Sequence, residues 1–407
     1  MVTGQDRQHF GAQADFQPLA GIRVVEMSHM IMGPSCGMFL ALLGADIIKI
    51  EPPEGDKTRA LTGMGRGFFP TFNRGKQSIV LDLKSEAGRS ALDRLLSTAD
   101  VFVENFRDSS LTAMGFAPDV LREKYPRLIV ASCKGFLHGP YENRTAMDEV
   151  VQMMTGMAYM TGPSGRPLRI GSSANDIMGG LFGAFGVLGA LLQRQSSGQG
   201  RSIRVGLFEN CLLLVAQHMV QFDIEGTEAP PMPERVFSWP VYDIFETADA
   251  KQIFVGAVTD GQWATLCRLL DLQDLLTHPD LKSRMDQINA RSWTLPIFAD
   301  AIKARSFDTL IARFEASGIP FSPIARPAQM YDDPHVNRPG GLISSRLPDG
   351  TSFRAPGLPL EVDGAAVNPD HMEVPDIGRH STDVLRALGM SDSEIAAATG
   401  LPAEQTA

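Results

Sequence analysis

Short apolar runs of four to six residues recur through the first third of the chain, separated by amphipathic stretches. GIRVVEMS at 21–28 and GADIIKIE at 44–51 flank a Gly- and Met-rich segment. That pattern predicts a strand, a helix and a second strand, the opening of a parallel α/β unit. SIVLDLK, ADVFVEN and RLIVASC add further strands, with EAGRSALDRLLSTA as a helix between them. The alternation predicts an α/β fold with a doubly wound sheet. From Met147 to Gln221 the period becomes helical, in DEVVQMMTGMAYM, then DIMGGLFGAFGVLGALLQRQ after a Gly/Pro turn at Thr161–Pro167, then ENCLLLVAQHMVQF.

A proline-rich segment without period, EGTEAPPMPERVFSWP, interrupts this pattern. It divides the chain into a large domain at 1–224, a linker at 225–240, a small α/β domain at 241–321 and a return segment at 322–407. In the small domain VYDIFETADAKQIFVGAV reads as a hairpin, followed by helices in ATLCRLLDLQDLL, ARSWTLPIFADAIKA and FDTLIARFEASG. In the return segment GGLISSRL and TSFRAPG read as strands joined by a PDG turn.

Composition narrows the function. With 37 basic and 47 acidic residues the net charge is −10, which argues against nucleic acid or an anionic membrane as partner and favours a small-molecule site. Cys36, Cys133, Cys211 and Cys267 are far apart, with neither CxxC nor Cys/His ligand spacing. They read as reduced thiols of a cytoplasmic protein, and no metal site is expected. The first 17 residues are polar, so no secretory signal is expected. The apolar run Ile177–Leu192 contains five glycines and is shorter than the roughly 20 residues of a bilayer span, so a buried helix is expected. Met147, Met153, Met154, Met157 and Met160 have helical spacing and read as gap-filling core residues.

Read together, GIRVVEMSHMIMGP, GADIIKIEPPEGDKTR, FNRGKQSIVLDLK, DVFVENFR, MGF, PRLIVASCKGF and GALLQRQSSGQG are similar, in order and spacing, to family III CoA-transferases such as the formyl-CoA and carnitine CoA-transferases. The resemblance implies a large Rossmann-like domain and a smaller α/β domain joined by two linkers, each subunit a ring and two rings interlocked as a dimer. It implies no cofactor; a CoA thioester is the substrate, with a carboxylic acid as acceptor. It places His29, Met30, Ile31, Arg74, Lys76, Asn105, Phe106, Arg107, Lys134 and Gly135 around the CoA. CoA carries a 3′-phosphate and a pyrophosphate, so cations at strand ends suit it.

The family's chemistry is nucleophilic: an aspartate attacks the donor thioester, giving a mixed anhydride and then an enzyme-bound thioester. That aspartate follows a Thr-Gly pair in a TG-x-x-D turn. Here the turn reads Thr161-Gly162-Pro163-Ser164-Gly165-Arg166-Pro167, one residue shorter and without a carboxylate. Ala113 replaces an arginine that precedes MGF in some relatives, and Val258-Thr259-Asp260-Gly261-Gln262 replaces a glycine-rich loop. Ile31 stands where formyl-CoA transferases carry glutamine, which disfavours oxalate or formate as substrate.

Asp148 and Asp176 match acid/base positions of related acyl-CoA racemases, although Met147 replaces the histidine that precedes the first of them. The same residues suit a plainer role, each capping the apolar helix that follows it. In its missing carboxylate and its length the chain resembles the incomplete subunit of two-subunit family members acting on succinyl-CoA and (R)-benzylsuccinate. The leading expectation is therefore a nucleophile-lacking subunit paired with an aspartate-bearing homologue. The alternatives are a self-sufficient homodimeric transferase, an acyl-CoA racemase or isomerase using Asp148 and Asp176, or a CoA-binding module.

Overall fold

A computed structural model describes residues 16–234 and 239–400. The N-terminal stretch on which the signal expectation rests, and part of the 225–240 linker, fall outside them. The chain divides into two compact units, 1–233 with 334–407, and 234–333.

The first unit is built on six parallel strands: β1 (Arg23–Met27), β2 (Asp46–Glu51), β3 (Gln77–Val80), β4 (Val101–Glu104), β5 (Ile129–Lys134) and β6 (Ser202–Gly206). Their order across the sheet is β3-β2-β1-β4-β5-β6, the doubly wound arrangement expected from the alternating pattern. The strands are near-continuous apolar runs because helices cover both faces. One layer is completed by α1 (Met32–Leu42), and beyond it α2 (Phe68–Asn73) leads into β3. The segments α3 (Glu86–Leu96), α4 (Asp108–Met114) and α5 (Pro118–Lys124) lie between β3 and β5 in the chain.

Between β5 and β6 come α6 (Asp148–Met154), α7 (Met157–Thr161) and α8 (Ala174–Ser197); α9 (Leu207–Glu225) follows β6. DEVVQMMTGMAYM is thus two helices, because Gly156 sits at φ +85°, a left-handed conformation that ends the first. The break also alters the methionine expectation: Met160 is buried, but Met147 and Met153 are exposed.

Helix α8 is longer than the apolar run within it and passes a bilayer-span test by length and composition. It nevertheless packs on α1, β5 and β6. Its glycines allow that: a Cβ on Gly180 would fall 2.0 Å from Ser35 Oγ and 2.7 Å from the Met32 carbonyl oxygen.

The second unit has an antiparallel sheet, β7 (Val241–Glu246), β8 (Gln252–Ala257) and β9 (Phe321–Pro323), in that order. Its helices are α10 (Asp260–Leu269), α11 (Gln273–Thr277), α12 (Arg284–Asn289), α13 (Arg291–Lys303) and α14 (Phe307–Glu315). ATLCRLLDLQDLL is split between α10 and α11, with Asp271 left-handed at φ 61°. Trp263, Phe298 and Phe314 are buried at the centre of this unit.

The C-terminal stretch belongs to the first unit. There β10 (Ile343–Arg346) pairs antiparallel with β11 (Ser352–Ala355), as the PDG turn predicts, and parallel with a later strand. The hairpin β12 (Glu361–Val362) and β13 (Ala365–Ala366) precedes that strand, β14 (His371–Glu373). Two helices close the unit, α15 (Ser381–Ala387) and α16 (Asp392–Thr399), and α16 packs on α3.

Candidate active site

In a doubly wound sheet the strand order reverses at one point, and the loops leaving the strand ends there part to form a crevice. Here that point lies between β1 and β4. The crevice begins with a buried charge frame. Glu26, near the end of β1, accepts hydrogen bonds from Lys76 Nζ at 2.6 Å, Ser28 Oγ at 3.0 Å and Lys49 Nζ at 3.4 Å. Lys49 Nζ also donates to the Ser28 carbonyl at 2.7 Å and pairs with Asp56 at 3.0 Å. Burial and the nearby Lys49 charge pull the Lys76 ammonium down to about 8, while burial pulls the Arg74 guanidinium down to about 10.

This frame fixes the carbonyl from which the loop after β1 departs. Asn105, just past β4, clamps the next residue: His29 N–H donates to its Oδ1 at 3.1 Å and its Nδ2 donates to the His29 carbonyl at 2.8 Å. Met30, held in the left-handed region at φ 64°, follows directly. Such a conformation costs a residue with a Cβ about 1–3 kcal/mol and persists where surrounding bonds enforce it. The Phe106 ring meets His29 edge-on, with centroids 5.5 Å apart. Desolvation and the Lys49 charge hold the His29 imidazole below its ordinary range.

Two adjoining hollows open above these loops, of about 580 and 310 Å³. The outer one is polar and rich in cations. Lys134, at the end of β5, pairs with Glu104 and Asp108, each at 2.9 Å. Asp108 also pairs with Arg204 at 2.8 Å. Arg107 donates to Thr145 Oγ1 at 3.2 Å, and Arg144 stacks 4.9 Å from the Tyr141 ring. Burial raises the Glu104 carboxyl despite Lys134, whereas Lys134 and Arg204 hold Asp108 low against its desolvation.

The inner hollow is lined by Met30, Phe68, Met147 and Leu207 together with Asp148, Glu149, Arg169 and Asp176. Asp148 is buried; its Oδ1 accepts from Gln152 Nε2 and its Oδ2 accepts from the Asp176 N–H at 3.0 Å. Gln152 in turn accepts from Ile170 N–H at 2.9 Å, so α6 anchors the loop that leads into α8. Asp148 therefore caps the first turn of α8, not its own helix, where it is the first residue after Met147. Asp176 is likewise no cap, being the third residue of α8, after Ala174 and Asn175, with Ser173 at the cap position. Burial, reinforced by the Asp148 charge and offset by Arg169, pushes the Asp176 carboxyl up to about 7.

The turn at Thr161–Pro167 is tight: Arg166 N–H donates to the Pro163 carbonyl at 2.9 Å and Leu168 N–H to the Ala158 carbonyl at 3.0 Å. Its residues from Pro163 to Pro167 are exposed, and none is a carboxylate.

The fold thus brings His29, Met30, Ile31, Asn105, Phe106, Arg107, Lys134 and Gly135 to one cleft with Asp148 and Asp176. Arg74 and Lys76 stand apart from it. Arg74 is fully buried and donates to the carbonyls of Ala355 and Pro356; Lys76 is buried on Glu26, Pro34 and Asn73. Both are internal ties of the fold, whereas the resemblance places them around the CoA. Sequence reading missed Arg144, Arg169 and Arg204. Only Arg204 carried a signal, as the one cation in the β6 run SIRVG. Among the described residues no group of three His, Cys, Asp or Glu is placed to hold a metal ion.

The sequence profile of CoA-transferase family III matches residues 19–381. The chain is 30% identical over 385 residues to the succinate–glutarate CoA-transferase of Agrobacterium fabrum, covering 91% of this chain and 96% of that one. It is 30% identical over 392 residues to the succinyl-CoA:mesaconate CoA-transferase of Haloarcula hispanica, again covering 91% and 96%. Among solved structures, a CAIB/BAIF family protein from Brucella suis superposes with a TM-score of 0.82 at 29% identity, covering 91% of this chain and 99% of that one.

Proposed function

This chain belongs to CoA-transferase family III, and from that premise we propose that it is the nucleophile-lacking subunit of a transferase moving CoA from succinyl-CoA to a second carboxylic acid. The observation that carries the reading is the Thr161–Pro167 turn, ordered by its own backbone bonds yet without a carboxylate. A serine hydroxyl at Ser164 cannot form the acyl-carboxylate anhydride on which the family's covalent route depends. The CoA end of the cleft, by contrast, keeps its cations and its Asn105 clamp. Arg107, Arg144 and Arg204 supply charge for the nucleotide phosphates, and His29 with Phe106 forms a wall beside the thioester arm. Two relatives whose names join succinate or succinyl-CoA to glutarate or mesaconate support a dicarboxylic acid as acceptor, an aryl- or alkyl-succinate among them. The four free buried cysteines suit a reducing, cytoplasmic setting.

One observation favours a second reading. The raised Asp176 carboxyl is a group poised for proton transfer near neutral pH, as an acyl-CoA racemase or a self-sufficient enzyme would use it. Against racemisation, Asp148 binds the backbone N–H of Asp176; the two carboxyls are neighbours on one wall, where racemisation needs opposed groups. The deciding experiment incubates the purified chain with succinyl-CoA and a panel of dicarboxylic and arylsuccinic acids, following new thioesters by liquid chromatography. No turnover alone and turnover with an aspartate-bearing homologue is expected. Turnover by this chain alone overturns the reading, and α-proton exchange in D₂O would replace it with the racemase.

A further inference from the structure

We propose that Glu26, Lys49 and Lys76 are positioning residues of the cleft: they touch no substrate, yet hold both ends of the loop that presents His29 and Met30, so that the loop meets a CoA ester already in its bound shape. The inference rests on the CoA-ester reading and adds residues that act on the site from beneath. None of the three lines either hollow, and all are buried, at 0%, 0% and 3% exposure. Lys49 Nζ donates to the Ser28 carbonyl at 2.7 Å and Lys76 Nζ to the Pro34 carbonyl at 2.9 Å, and the two ammonium groups share Glu26. Those carbonyls bracket the segment that carries His29, the left-handed Met30 and Ile31 at the start of α1. Ser28 adds its own hydroxyl to Glu26 at 3.0 Å. Two glycines let the segment lie this close. A Cβ on Gly33 would fall 2.5 Å from Ser28 Cβ and 3.4 Å from Asn105 Cγ, and one on Gly37 would overlap the Glu26 carboxylate and stand 3.2 Å from Lys76 Nζ.

Stability does not account for this arrangement. A buried ion pair loses to desolvation much of what it gains by attraction, and apolar residues of similar volume are often as good or better. What an ammonium supplies and an apolar side chain cannot is direction, because it fixes a carbonyl oxygen at hydrogen-bonding distance. The frame also balances its charges internally: Lys49 pairs with Glu26 and Asp56, Lys76 with Glu26, and Arg59 with Glu51 on β2. A loop held in advance loses less conformational freedom when a ligand settles on it, and the difference is gained as affinity. The cations of the outer hollow are tied elsewhere. Arg107, Arg144 and Arg204 rest on Thr145, Tyr141 and Asp108, none of which belongs to the frame, so the two ends of the cleft can be probed separately.

The test compares succinyl-CoA with adenosine 3′,5′-bisphosphate, the nucleotide end of CoA alone, by titration calorimetry on the full chain. Two double variants keep the buried charge balanced: Lys49→Met with Asp56→Asn frees the Ser28 end, and Glu26→Gln with Lys76→Met frees the Pro34 end. Each is expected to weaken succinyl-CoA by about tenfold while binding of the bisphosphate holds. In nitrogen-15 spectra of histidine-labelled protein, the His29 ring signal, identified by its loss in His29→Gln, is expected to broaden in both. Gly33→Ala crowds the same loop with every charge in place and is expected to give the same selective loss, which keeps the proposal open to refutation if a buried-charge variant does not fold. Equal losses of both ligands, or unchanged succinyl-CoA affinity with a sharp His29 signal, reduce the frame to a purely structural tie and overturn the proposal with the CoA-ester reading intact. If the native chain binds neither succinyl-CoA nor CoA, that reading falls and this one with it.

Discussion

Asn105 shows how one side chain can carry a site. Its amide is donor and acceptor to the two faces of the same residue, His29, so it locks the loop after β1 to the loop after β4. His29 in turn sits directly before the left-handed Met30. Asn105→Ala deletes both bonds and is expected to weaken CoA-ester binding by about tenfold and to lower stability by about 1–2 kcal/mol. Asn105→Asp, which keeps only the acceptor, should fall between. Binding titrations of the three proteins check the order, and equal affinities would remove Asn105 from the site. VENF announced this residue in the sequence, because polar groups at the carboxyl ends of parallel strands gather at the crevice. Arg74 and Lys76 misled for the converse reason. Their partners come from far along the chain, from the carbonyls of Ala355 and Pro356 and from Glu26, and one-dimensional spacing cannot distinguish a cation facing solvent from one buried on a distant carbonyl.

At the level of elements, α8 holds the inner hollow in place by lying close on α1. Its glycines are unequal. A Cβ at Gly180 would stand 2.0 Å from Ser35 Oγ and 2.8 Å from the Cys36 backbone nitrogen, while one at Gly189 would meet nothing within 4 Å. Gly180→Val is therefore expected to force the helices apart, at about 3 kcal/mol or more. Gly189→Ala should stabilise by about 0.5–1 kcal/mol, since alanine loses less backbone freedom in a helix. Urea unfolding of both variants tests the pair; two variants of equal stability would mean that α8 does not pack by its glycines. The helix itself was legible as an apolar run, and the strands likewise from their apolar residues. What the sequence left open was register: which glycines face α1, and that Asp148 caps the start of α8 from a different helix. Those facts follow from how the elements dock, which local periodicity does not encode.

The whole molecule presents an apolar surface that its own fold leaves open. Leu181, Phe185 and Leu192 are exposed along α8 at intervals of four and seven residues, and Leu213, Val220 and Ile224 repeat the pattern along α9. Phe185 is 70% exposed and Ile224 is 78% exposed. Such spacing puts each set on one helical face. Scattered apolar residues need no explanation on a protein surface, but stripes on two packed helices predict an interface. The net charge of −10 is no obstacle to pairing, since charged residues are few along these stripes. Light scattering on the purified chain is accordingly expected to give twice the mass of one chain. Phe185→Glu combined with Ile224→Glu should reduce it to a single chain. If the same face also receives the aspartate-bearing homologue, the double variant will fail to support CoA transfer in the mixture while still binding CoA esters, because the hollows are lined by other residues. A native chain that stays single at micromolar concentration, with and without the homologue, would show that the stripes serve something other than assembly. It would also remove the structural basis for a two-chain enzyme.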